Sequence, residues 1–122
     1  MVVIAAWVLL FLGVVHTILG FIWFKQTFKE AWLEGLIGKF GLETLEIRRL
    51  AFWFTIVGPL MIMGGNIAIH AGQVGDHALL KIIGFYLFFI AIIGVLALPK
   101  SPFWAAMLLC PIFIAGGYGW IG

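Results

Sequence analysis

Four apolar blocks, each of roughly twenty residues, take up nearly the whole chain: about Val2 to Phe24, Leu50 to Ala71, Leu79 to Leu98 and Pro102 to Trp120. At a rise of about 1.5 Å per residue, a helix of that length crosses the ~30 Å hydrocarbon core of a bilayer. Hydrocarbon admits only helices or closed barrels. Barrel strands alternate apolar and polar residues, whereas these blocks are continuously apolar. The chain is therefore expected to be all-α, a transmembrane four-helix bundle forming a single domain over residues 1–122.

Composition agrees. Hydrophobic residues make up 65% and charged residues 10%, where a soluble domain carries roughly a quarter charged. Lys25, Lys29, Glu30, Glu34, Lys39, Glu43, Glu46, Arg48, Arg49 and Lys100 lie outside the blocks or within a turn of their ends. Asp76 sits in the second loop and Lys81 in the first turn of the third block. None is central, where a charge costs about 2.5–3.5 kcal/mol on insertion scales. A net charge of +2 without a basic, aromatic-interleaved tract argues against nucleic acid. Cys110, the single cysteine, has no disulfide partner or metal-ligand spacing and reads as a small apolar residue in a packed helix. No positive side chain precedes the first run, which is about twice a signal peptide's h-region, so it is expected to be a retained helix.

The first loop, about Lys25 to Arg49, is the longest and holds five of the seven basic residues. Phe28, Trp32 and Leu36 recur every fourth position, with Lys29, Glu30 and Glu34 between them. That spacing predicts a short amphipathic segment at the interface, or an extension of the first helix, broken by Gly35, Gly38 and Gly41. The second loop, Gly72 to His77, and the third, Pro99 to Pro102, are tight turns, so sequential helices should be antiparallel neighbours. Loops one and three share a face with six Lys/Arg; the other face has only Lys81. The positive-inside rule puts those loops in the cytoplasm and both termini outside. Trp23, Trp53 and Trp104 fall at the cytoplasmic ends of helices, and Trp7, Tyr118 and Trp120 near the outer ends, as interfacial belts require. The second helix carries Phe52-Trp53, Pro59 and Gly64-Gly65; the fourth carries Phe103-Trp104, Pro111 and Gly116-Gly117. Two duplicated hairpins would give this match; so would convergence, because these residue types are common in membrane helices.

His16 is the sharpest candidate for chemistry. It shares a helical face with Gly13 and Gly20, where small residues let another helix approach. A polar residue at membrane depth is a functional hypothesis by default; the plainer alternative is a neutral imidazole bonded to a neighbouring helix. His16, Gly13, Gly20, Thr17 and Tyr86 form the candidate ligand-binding set. Thr17, Thr55, Asn66 and Tyr86 otherwise serve as interhelical hydrogen-bonding groups. His16 and His70 lie about 20 Å apart along the membrane normal by helical rise, too far for a shared haem. His70, His77 and Asp76 could form a weak metal site at the outer turn, but without a recognised ligand spacing an ordinary wet loop is the simpler reading. Glu34, Glu46, Arg48 and Arg49 form an interfacial ion-pair cluster, with Glu46 and Arg49 three residues apart and Glu34 able to reach Arg48 or Arg49 if the loop folds back. Pro59 and Pro111 should kink their helices, which could widen a bundle around a lipid-like ligand or simply shape it.

Several classes are disfavoured. No carboxylate lies deep in the membrane, as ion-coupled transport normally requires. No phosphate loop, HExxH pair or nucleophile elbow is present. Redox work on quinone or haem would need more depth-matched ligands. No metal or cofactor is expected.

Gly13-x-x-His16-Thr17-x-Leu19-Gly20, Trp32-Leu33-Glu34-Gly35-Leu36, Arg49-x-Ala51-Phe52-Trp53-Phe54 and Pro99-x-Ser101-x-Phe103-Trp104 occur in one order. Together they resemble a family of small bacterial four-helix membrane proteins catalogued as a domain of unknown function. Pro102 departs from the pattern, where Gly is expected. The resemblance implies a compact four-helix bundle in a bacterial inner membrane and carries over no catalytic residue. The expectation is a non-enzymatic membrane component, an accessory subunit of a larger complex or a homo-oligomer, with lipid and other membrane subunits as partners. The alternative is a binding or transport module for a lipid or quinone centred on His16. A third reading, an enzyme joining His16 to the Glu/Arg cluster, is opposed by a depth difference of roughly two helical turns.

Overall fold

The structure, a computed structural model, describes residues 1–41, 46–99 and 103–121. Glu43 of the first loop, and Lys100, Ser101 and Pro102 of the third, lie outside the described residues. The described chain is helical throughout its regular structure: α1 (Val2–Trp23), α2 (Lys25–Leu33), α3 (Glu46–Val74), α4 (His77–Ala97) and α5 (Phe103–Gly117).

Among the described residues, α1, α3 and α4 are long and apolar enough to cross a membrane. The fourth block is shorter than expected. α5 has 15 residues, about 22 Å of helix at 1.5 Å per residue, and it ends at Gly117, three residues before Trp120. α3 is longer than its apolar run, with 29 residues from Glu46. Helical hydrogen bonding does not stop where hydropathy does, and the polar turn Glu46–Arg49 continues the helix. The amphipathic segment is a separate helix, α2.

Two helix ends are set by glycine in the left-handed region. Gly35 (φ 100°) follows α2, where the Leu36 amide donates to the Ala31 carbonyl at 2.8 Å. Gly75 (φ 71°) follows α3, where the Asp76 amide donates to Ala71 at 2.9 Å. A residue without Cβ enters that region without steric cost, and the resulting bonds satisfy orphan carbonyls. Asp76 then caps α4, its carboxylate accepting the Leu79 amide at 3.0 Å. A single cap and a single glycine thus reverse the chain.

The chain divides into two compact units, Met1–Leu10 with Met63–Gly122, and Phe11–Ile62. In the first, Phe113 and Cys110 are the largest fully buried side chains. Its helices meet at small residues: a Cβ on Gly84 would lie 2.9 Å from the Ile114 amide nitrogen, and one on Gly65 would lie 2.6 Å from that of Leu10. His77 Nδ1 donates to the Gly116 carbonyl at 3.0 Å and Lys81 Nζ stands 5.0 Å from the Tyr118 ring centre, so two side chains cover the C-terminal end of α5.

In the second unit the same device joins α1 to α3. A Cβ on Gly13 would lie 2.7 Å from the Ile62 nitrogen and 2.8 Å from the Gly58 carbonyl oxygen. One on Gly58 would lie 2.8 Å from the Thr17 nitrogen, and Gly20 backs onto Thr55. Backbones this close gain dispersion contacts that side chains would prevent.

An apolar cleft in the second unit

His16 lies on the α1 face that meets α3. Its Nε2 is 2.7 Å from the Phe54 carbonyl oxygen, so that nitrogen carries the proton and donates. Its ring stacks on the Phe54 ring with centroids 4.1 Å apart and planes at 23°. The imidazole is thereby a clamp between two helices. Thr17 donates its hydroxyl to the Gly13 carbonyl at 2.9 Å, within its own helix. Gly13 and Gly20 are consumed by the contact with α3. Tyr86 belongs to the other unit, on α4, where it is exposed.

Beside this seam lies a cleft of about 210 Å³, lined by Thr17 and Phe21 of α1, Phe28 of α2, and Phe52, Thr55, Ile56 and Pro59 of α3. Its exposed lining is hydrocarbon. Of the expected ligand set only Thr17 takes part. The α3 contribution is a stripe: Phe52, Thr55, Ile56 and Pro59 are spaced three, four and seven residues apart, the repeat that stacks side chains on one face. Phe21 and Phe28 are 5.2 Å apart by ring centroid, Phe28 and Phe40 5.6 Å, and Phe40 and Phe52 5.8 Å. Offset pairs at such spacings favour one another beyond the area they bury. The loop residue Phe40 therefore ties α2 to α3 at one edge of the cleft. Nothing in the sequence signalled that Phe28, Phe52 and Pro59 converge, and nothing local to Phe40 signals its bridge.

Two polar atoms in this unit are buried without a partner among the described residues: Thr55 Oγ1 and Arg48 Nε. Pro59 has no N–H to give the Thr55 carbonyl. Arg48 stands one turn before Phe52 on the same α3 stripe. It donates Nη1 to Glu34 Oε1 at 3.3 Å and Nη2 to Glu34 Oε2, a two-pronged pair. The Arg48 side chain is 9% exposed and that of Glu34 49%. The hydrogen bond from Arg48 holds the Glu34 carboxyl below its ordinary value; desolvation opposes this, and the charges of Arg48 and Lys39 reinforce it. Glu46 is exposed on the first turn of α3.

At the turn between α3 and α4, the Asp76 carboxylate is engaged as a helix cap and the His77 ring with Gly116. No group of three metal-ligating side chains converges among the described residues.

A model of the family of unknown function DUF6463 matches residues 2–118. The chain belongs to that family. No curated protein and no solved structure matches it. Family membership thus assigns no activity, and the case for function rests on the cleft.

Proposed function

We propose that this chain is a non-enzymatic integral membrane protein of a bacterial inner membrane that holds a hydrophobic small molecule in the cleft formed by α1, α2 and α3. The observation that carries this reading is a partly open, hydrocarbon-lined cleft of about 210 Å³ walled by three phenylalanines and a proline-interrupted stretch of helix. Ligand sites of drug-sized molecules run to roughly 300–1,000 Å³. The cleft therefore suits a segment of an aliphatic chain or a single ring, with the rest of the molecule outside it. Large apolar side chains such as Phe11, Trp23, Met63, Phe89, Ile93 and Leu96 are more than half exposed, a surface that lipid covers at no cost.

In this reading α5 also spans, with the bilayer thinned or its flanking Trp104 and Trp120 at the two boundaries. Loops one and three face the cytoplasm and both termini the outside. Association with other subunits or copies is compatible with the same surface. Gly13, Gly58, Gly65, Gly84 and Gly117 do not supply that surface, because they meet helices of this chain.

The test is mass spectrometry of small molecules retained by the protein extracted from its host membranes, wild type against Ile56→Trp, which fills the cleft from a partly exposed position. The reading expects an apolar species that is enriched over bulk lipid in the wild type and depleted at least fivefold in the variant. Identical profiles would refute it.

A further inference from the structure

We propose that the cleft and Arg48 form one site, which takes a single-chain amphiphile with an anionic head, a carboxylate or a phosphate monoester. The inference rests on the cleft reading and adds the chemistry of the ligand's head.

Three observations support it. Arg48, Phe52, Thr55 and Pro59 lie at successive turns of one α3 face, with Arg48 at the N-terminal end and the apolar cleft along the rest. Pro59 lies eleven positions after Arg48, about 16 Å of helix at 1.5 Å per residue. A charged end beside a hydrocarbon slot is the outline of an amphiphile. Second, Arg48 is 7% exposed and its Nε has no acceptor among the described residues. A buried guanidinium N–H without a partner is a rare arrangement, and one oxygen anion would complete it. Third, the partner that Arg48 does have is replaceable. Glu34 follows α2 at the start of a glycine-broken loop and is half exposed, so its carboxylate can turn to water when another anion takes the guanidinium.

The surroundings favour a negative head over a positive one. Lys25 and Lys29 flank Phe28 on α2, and Arg49 follows Arg48. Glu30 and Glu46, both exposed, are the opposing charges on these helices. Glu34 itself is the built-in competitor: its pairing with Arg48 sets a threshold that an incoming head must exceed. The arrangement also disfavours a cationic amphiphile, because its head would have to compete with Arg48 for the Glu34 carboxylate.

The experiment uses the full chain in nanodiscs of phosphatidylcholine, with radiolabelled laurate as the probe and protein-free nanodiscs as background. Dodecanol, dodecyltrimethylammonium and inorganic phosphate serve as competitors. Glu34→Gln removes the competitor and should tighten laurate binding at least threefold. Arg48→Gln should weaken it tenfold or more. Dodecanol should compete weakly and equally in all three proteins, and dodecyltrimethylammonium hardly at all. If Arg48→Gln does not fold, Glu34→Gln decides alone, because its side chain is half in water. Laurate and dodecanol competing equally, or laurate affinity unchanged in Glu34→Gln, would overturn the head assignment. The cleft reading would then survive, provided that Ile56→Trp still lowers binding. Inorganic phosphate competing as well as laurate, regardless of Ile56→Trp, would mean an anion site without a tail and would also overturn it. No binding of laurate or dodecanol to the wild type would bring down both readings.

Discussion

Gly64 and Gly65 are neighbours in α3, and alanine should have opposite effects at the two. A Cβ on Gly64 would find only the Leu9 Cδ2, at 4.0 Å, which is ordinary van der Waals contact. A Cβ on Gly65 would lie 2.6 Å from the Leu10 nitrogen, 2.7 Å from its Cα and 2.8 Å from its Cβ. Carbon contacts are optimal near 3.5–4.0 Å, so the α1 backbone would have to retreat by about 1 Å. A rotamer change could not relieve this, because two of the three atoms are main chain. Both substitutions share the intrinsic helix gain of alanine over glycine, up to about 1 kcal/mol, and it cancels in their difference. What remains is overpacking, typically about 1–3 kcal/mol, and rigid neighbours put this case in the upper half of that range. Gly64→Ala should therefore be neutral or stabilising, and Gly65→Ala should be less stable than Gly64→Ala by about 2–3 kcal/mol. Reversible unfolding in mixed micelles of dodecyl maltoside and dodecyl sulfate measures both. Equal stabilities within about 0.5 kcal/mol, the usual spread for uncoupled sites, would refute the close approach of Leu10 to α3.

Three further outcomes follow. His16→Ala removes the 2.7 Å bond to Phe54 and the ring stacking, and should cost about 1–3 kcal/mol in the same unfolding assay, while amphiphile binding changes less than in Ile56→Trp. Because Glu34 has its carboxyl lowered below the ordinary 4.5 in the folded state, its pairing stabilises the fold above about that pH and the contribution fades as pH falls further; Glu34→Gln should flatten the acid limb of a stability profile measured by tryptophan fluorescence. Asp76→Ala deletes the α4 cap and should cost about 0.5–2 kcal/mol, with hydrogen exchange rising first at Leu79.

The helices were largely legible in the chain because hydropathy reports them directly. α1 and α4 begin and end within about two residues of their apolar runs, as such boundaries usually do. The misjudged ends have specific causes. α3 already includes Glu46 and Arg48, residues hydropathy places in the loop, and Arg48 pairs with Glu34, which lies fourteen positions earlier. α5 stops at Gly117, before the apolar run does, because the chain turns at Gly119 (φ 76°). The ion pair was half legible: the charges were visible, but whether Glu34 would meet Arg48 or Arg49 depended on the path of a loop with glycine at 35, 38 and 41. The cleft was the least legible feature. His16 drew attention as a polar residue in an apolar run, and the structure gives it an interhelical bond. The cleft is built from Phe21, Phe28, Phe52 and Ile56, residues indistinguishable in sequence from any lipid-facing side chain, and only their convergence from three helices sets them apart.

The central claim is that one stretch of apolar surface is a site and the rest is merely solvated by lipid. A laurate analogue with a diazirine in its tail, activated by light in intact membranes, tests this most directly, with labelled positions mapped by peptide sequencing. The account predicts labelling concentrated on Phe28, Phe52 and Ile56 and abolished by excess laurate. Labelling spread evenly over exposed faces such as Phe85, Phe89 and Ile93 of α4, and undiminished by that excess, would contradict it.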